Sequence, residues 1–117
     1  MTHTLRISAA SLKGTSRQRN EDAVCVDGTF LDQLQPSNKD FSAIDPTEGS
    51  LMIIADGMGG HPRGDWASKS AIEAILSGWQ TTSPLIDACQ AVNAAHRALI
   101  SDAREMPSPG STVAAAV

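Results

Sequence analysis

The sequence predicts an α+β chain. Three observations carry that expectation. Residues Thr4–Ser11 alternate weakly, with Leu5, Ile7 and Ala9 set against Arg6, Ser8 and Ala10, as in a half-buried strand. Leu51–Ala55 is a run of five apolar residues, consistent with a buried strand. From Asp65 to Gly78, Ala67, Ala71, Ala74, Ile75 and Gly78 recur at three- and four-residue steps, as on one face of a helix.

Bulk properties bound the possibilities. The chain has 117 residues, the size of one domain or part of one. It is 41% hydrophobic and 19% charged, which supports a globular core. Two Phe, two Trp and no Tyr make that core lean. The net charge is −4 and no basic block stands out, which argues against nucleic acid as the main partner. Cys25 and Cys89 lie far apart, outside any metal-type spacing, and read as buried thiols in a reducing compartment. No apolar run is long enough to span a membrane, and the N-terminus lacks the apolar core of a signal peptide. The expected location is cytoplasmic, with oligomeric state open.

In chain order, Lys13–Ser16 reads as a turn and Ala23–Val26 as a second strand, closed by the turn pair Asp27–Gly28. The polar run Arg17–Asp22 between the first two strands belongs at a sheet end or on a bulge. Residues 29–50 hold Pro36, Asn38, Asp45–Pro46 and Gly49 among scattered apolar anchors, and read as an irregular insertion. In the helix at Asp65–Gly78, Ile72, Leu76 and Trp79 flank the apolar stripe, while Ser68, Lys69 and Glu73 lie away from it. A second helix is expected from Ser83, an N-cap candidate before Pro84, to about Arg104, stopped by Pro107 and Pro109. Val113–Val117 reads as a last strand. An apolar strand at the C-terminus would expose a sticky edge, so a fragment of something longer is expected.

The chemistry concentrates in L-M-I-I-A-D-G-M-G-G-H-P-R-G-D, Leu51 to Asp65. Asp56 leaves a buried strand where the chain meets water, beside glycines that permit sharp turns and close approach of a ligand. A carboxylate held there suits a metal or a phosphate. Nucleotide fingerprints fail. G-x-G-x-x-G from Gly57 would need a glycine where Pro62 stands. G-x-x-x-x-G-K-[ST] fits Gly59 and Gly64, but Asp65 and Trp66 follow. Carboxylates and carbonyls suit Mg²⁺ or Mn²⁺, and no Cys/His cluster offers a zinc site. A second acidic feature, Glu21–Asp22, follows Arg17, Arg19 and Asn20.

Three motifs in order, G-x-x-R-x-x-N-E-D (Gly14 to Asp22), D-G-M-G-G-H (Asp56 to His61) and G-S-T-V-A-A-A-V (Gly110 to Val117), resemble the bacterial branch of the metal-dependent Ser/Thr protein phosphatases, type 2C. The resemblance covers nearly the whole chain, least well at residues 29–50, and implies that residues 1–117 are the N-terminal portion of a catalytic domain. It implies part of a four-layer αββα sandwich, an antiparallel β-sandwich flanked by helices, incomplete in this chain. It implies two divalent ions, Mn²⁺ or Mg²⁺, and hydrolysis of phosphoserine and phosphothreonine in phosphorylated proteins, targets of a Ser/Thr kinase, by a hydroxide bridging the metals. Asp56 would bridge the two ions, Glu21 would bind one, Gly57 would offer its carbonyl, and Asp22 would act through water or orient a ligand. Arg17 would bind phosphate through its guanidinium fork.

Two departures qualify the match. Met58 stands where many relatives have a histidine proposed as the leaving-group acid, leaving His61 or water for that role. Later aspartates of the family have no counterpart here, since Asp87 and Asp102 read as solvated charges of the second helix. The isolated chain is therefore expected to have little or no activity. The alternative is a non-catalytic, phosphatase-like binding or scaffold module.

Overall fold

A computed structural model describes residues 4–44, 50–58, 63–78, 90, 92–94, 96–97 and 110–116. The element order is β1 (Leu5–Ser11), β2 (Asp22–Val26), β3 (Thr29–Phe30), β4 (Ser37–Ile44), β5 (Met52–Gly57), α1 (Gly64–Gly78) and β6 (Ser111–Ala116). The α+β class holds. The strands form a four-stranded antiparallel sheet, order β3-β2-β5-β6, and a two-stranded ribbon of β1 and β4.

Alternation along β2 and β5 divides the sheet into two unlike faces. Ala23, Cys25, Ile53 and Ala55 point to one side, where they pack with Leu51 and with Ile72 and Ile75 of α1. Val24 and Ile54 point to the other, and Ile54 is 56% exposed. The β1–β4 ribbon lies beside that second face. A cavity of about 260 Å³, lined by Ile7, Ala9, Val24, Met52 and Ile54 among others, separates the two.

The Asp27–Gly28 turn forms as its chemistry requires. Both residues have positive φ, 47° and 82°, the backbone of a two-residue hairpin between β2 and β3. The Asp27 carboxylate also accepts a hydrogen bond from the Leu51 N–H at 2.7 Å, which fixes the start of β5.

Several expectations need correction. Residues 29–50 are not an irregular stretch throughout, because they contain β3 and the eight-residue β4. Among the described residues, strand β4 pairs only with β1, and the residues around its Phe41 are mostly polar. It therefore lacks the apolar alternation by which a strand is recognised. Ser68, placed away from the helix's apolar stripe, is fully buried. Its hydroxyl donates to the Asp65 carbonyl at 3.1 Å, so the helix's own backbone satisfies it. Strands β5 and β6 extend beyond their apolar runs to Gly57 and back to Ser111, because the two polar ends pair with each other. Residues 90, 92–94, 96 and 97 are helical inside the expected second helix. Its caps, Cys89, Asp87 and Asp102 lie outside the described residues. Among the described residues, no helix is long and apolar enough to cross a membrane.

Candidate metal and phosphate site

The site is built where β2 begins and β5 ends. The two strands are antiparallel, so the start of one lies beside the end of the other. Asp22 is thereby paired in register with Asp56, and Asp56 in turn with Thr112 of β6. Asp22 and Asp56 share a face by the same alternation that sends Ala23 and Ala55 into the core. Both are exposed to solvent. The Asp22 carboxyl titrates above its ordinary value of 3.8, because partial burial disfavours its charge and the neighbouring Asp56 and Glu21 carboxylates repel it.

Backbone contacts fix the surroundings. The Gly57 N–H donates to the Glu21 carbonyl at 3.1 Å, extending the β2–β5 ladder by one step. The Ser111 hydroxyl donates to the Asp56 carbonyl at 3.1 Å, and the Asp56 N–H donates to the Thr112 hydroxyl at 3.3 Å. The G-S-T motif thus holds the strand end that presents Asp56. Met58 continues the pairing, its N–H donating to the Gly110 carbonyl at 2.9 Å.

Close approach crowds two glycines of the site. A Cβ on Gly57 would collide with the Gly64 carbonyl and come within 2.9 Å of the Glu21 carbonyl oxygen. A Cβ on Gly64 would come within 2.9 Å of the Glu21 carboxylate. Glu21 therefore lies against the first residue of α1, where the N-terminal end of the helix favours negative charge.

The polar run from Arg17 is a loop as far as Glu21, entering β2 at Asp22, and Asn20 anchors it. Asn20 is 7% exposed. Its side-chain amide donates to the Ser11 hydroxyl at 2.7 Å, and its carbonyl oxygen accepts from the Asp22 N–H at 3.1 Å. Sequence reasoning noted Asn20 as part of a motif without giving it this role. An asparagine two residues before a strand, able to bond its own backbone, was the available signal.

One cavity of about 320 Å³ is lined by Arg17, Glu21, Asp22, Asp56 and Gly57 together, with Arg19 and Asn20 beside them. All five residues singled out from the sequence are thus gathered in one place. His61 lies outside the described residues. The donors are oxygens, which suits a hard divalent cation. A cation there would also relieve the repulsion that raises the Asp22 pKa. The set is short, however. Among the described residues, no three carboxylate, histidine or cysteine side chains converge closely enough to hold a metal ion.

The chain is 36% identical over 76 residues to the serine/threonine phosphatase stp of Listeria innocua serovar 6a, covering 65% of this chain and 24% of that protein. The proteins of the same name from Listeria welshimeri and Listeria monocytogenes serotype 4b are 37% identical over the same length and shares. The chain is related to these bacterial serine/threonine phosphatases. That relationship bears out the resemblance carried by the three motifs. The matched segment is about a quarter of the length of these relatives. No family model matches the chain.

Proposed function

We propose that this chain is the N-terminal portion of a type 2C, metal-dependent phosphatase domain that hydrolyses phosphoserine and phosphothreonine in proteins. The observation that carries the reading is the gathering of Arg17, Glu21, Asp22, Asp56 and Gly57 around one 320 Å³ cavity. The names of the relatives support it. The full domain would complete a four-layer αββα sandwich, and a cytoplasmic location is consistent with the buried free thiol of Cys25.

In this reading Asp56 and Glu21 hold the cations, with the Gly57 carbonyl as a further oxygen donor. Asp22 faces Asp56 and orients it or a coordinated water. Two divalent ions, Mn²⁺ or Mg²⁺, would supply a water of lowered pKa and neutralise phosphate charge. Arg17, which lines the same cavity as the carboxylates, would bind phosphate oxygens through its fork of N–H donors. Asn20 keeps the Arg17–Asp22 loop in register with the strand end. The remaining cation ligands would come from residues outside this chain.

The test is hydrolysis of p-nitrophenyl phosphate with Mn²⁺ by the 117-residue chain and by a chain extended to the length of its relatives. The extended chain is expected to turn over, to lose activity in Asp56→Asn, and to bind phosphate more weakly in Arg17→Ala. The short chain is expected to show little or no turnover. Inactivity of both would count against the reading.

A second reading is a phosphate-recognising scaffold without turnover. Arg17 and Arg19 line the same cavity, and guanidinium groups bind phosphate without a metal, which favours it. An extended chain that binds phosphopeptides yet never hydrolyses them would select it.

A further inference from the structure

The cavity at Asp22 and Asp56 is one end of a longer depression. A second cavity of about 530 Å³ shares Arg17, Arg19 and Glu21 with it. A third, of about 700 Å³, shares Gln18, Arg19 and Asp65 with the second. Arg19 lines all three.

The second and third cavities carry an excess of basic residues, unlike the chain as a whole. The chain carries nine Lys and Arg residues and a net charge of −4. Five of the nine, Lys13, Arg17, Arg19, Arg63 and Lys69, line the second and third cavities. The acidic residues there are Glu21, Asp32 and Asp65. Asp32 accepts a hydrogen bond from the Leu34 N–H at 2.7 Å. Asp65 accepts from the Trp66 N–H at 2.9 Å and pairs with Arg19 at 3.6 Å. That ion pair is loose and Arg19 is 71% exposed, so it is easily exchanged for an incoming carboxylate. The Lys69 ammonium lies 5.7 Å from the centre of the Phe30 ring, and both residues line the third cavity. Phe30, Leu31 and the 88% exposed Leu34 give that cavity an apolar wall.

A trough richer in cations than in carboxylates, with an apolar wall and continuous with the 320 Å³ cavity at Asp22 and Asp56, matches an extended peptide more than a small ester. We propose that Lys13, Arg19 and Lys69 bind acidic side chains flanking the phosphorylated residue of a protein substrate, with one apolar side chain set against Phe30 and Leu34. The proposal rests on the phosphatase reading and adds a substrate class to it.

The test is fluorescence anisotropy of labelled phosphothreonine peptides against the 117-residue chain in low salt with Mn²⁺. The peptides carry Asp/Glu, Ala or Lys flanks, and an acidic peptide without phosphate completes the set. Acidic flanks are expected to tighten binding about three- to tenfold over Ala flanks. The gain should vanish in Lys13→Glu/Lys69→Glu and shrink in 0.5 M NaCl. Both lysines are exposed, and Lys13→Gln/Lys69→Gln carries the same test if the reversal disturbs folding. Equal affinity for acidic and Ala flanks would overturn the trough while leaving phosphate recognition intact. Failure of every phosphopeptide to bind the 117-residue chain would overturn the trough, while the phosphatase reading stands or falls on turnover by the extended chain. An acidic peptide that binds equally well without its phosphate would refute a phosphoprotein substrate. A single-stranded RNA that binds more tightly than the acidic phosphopeptide would transfer the trough to nucleic acid.

Discussion

Asp22 and Asp56 are cross-strand partners in the β2–β5 ladder, on the face turned away from helix α1. Like charges directly opposite each other weaken a sheet. A sequence retains such a pair where something else gains from it, and a divalent cation is the simplest gain. Asp56→Asn is expected to lower Mn²⁺ affinity at least tenfold, measured by calorimetric titration. The fold should survive, because Asp56 is exposed and circular dichroism should be unchanged.

The same pair sets a pH dependence. Burial first, then Asp56 and Glu21, raises the Asp22 pKa above 3.8. The folded chain therefore holds that proton more tightly than the unfolded chain does. In the window upward from about 3.8 the folded state binds more protons, so this group's contribution to stability falls as pH rises. Asp22→Asn, which cannot ionise, should melt slightly higher than the parent at pH 7 in the absence of metal. The difference should shrink towards pH 4. Added Mn²⁺ should reverse it at pH 7 by stabilising the parent more. A difference that stays constant across pH would remove the electrostatic explanation.

Asn20 gives a prediction of another kind, because it binds the loop from both ends of its amide. Asn20→Ala leaves the Ser11 hydroxyl and the Asp22 N–H without their partner, at a cost of about 1–2 kcal/mol. Asn20→Asp keeps an acceptor for Asp22 but removes the donor to Ser11 and adds a charge to an already acidic cluster. Of the two variants, Asn20→Asp should have the lower melting temperature and, if the loop matters to phosphate, the weaker Arg17-dependent binding.

Ile53 and Ile54 show what the sequence made legible and what it did not. Both belong to one apolar run, which reads as a strand buried on two faces. The structure buries Ile53 at 1% exposure and leaves Ile54 at 56%. The existence of β5 was readable from hydrophobicity. The exposure of Ile54 among the described residues was not, since that depends on how far the β1–β4 ribbon stands from the sheet. Strand β4 escaped notice for a related reason, lying where little burial marks it. The site residues were legible because Arg17, Glu21, Asp22, Asp56 and Gly57 fall in compact motifs. Asn20 and Ser68 were not, because their roles depend on contacts to backbone and to Ser11 that no periodicity reports. Ile53→Ala is expected to cost about 3 kcal/mol and Ile54→Ala under about 1 kcal/mol in urea unfolding.

Gly57 and Gly64 separate folding from function at the same corner. Neither has a positive φ, so space alone decides the effect of an added methyl. At Gly57 the methyl meets backbone, the Gly64 and Glu21 carbonyls, and neither can move without shifting the start of α1 or the end of the ladder. Gly57→Ala should therefore cost about 3 kcal/mol or more and show as a large drop in melting temperature. At Gly64 the nearest atoms are the far end of the Glu21 side chain, at 2.9 Å, with the Met58 carbonyl at 3.2 Å. Glu21 can rotate away, so Gly64→Ala should lose little stability, within about 1 kcal/mol, helped by alanine's better helix propensity. It should instead displace the carboxylate and weaken Mn²⁺ binding. Gly14→Ala is the control, with nothing within 4 Å of the new methyl, and should change neither quantity. If Gly64→Ala bound Mn²⁺ as the parent does, Glu21 would lose its place among the proposed ligands, whatever happened to stability at Gly57.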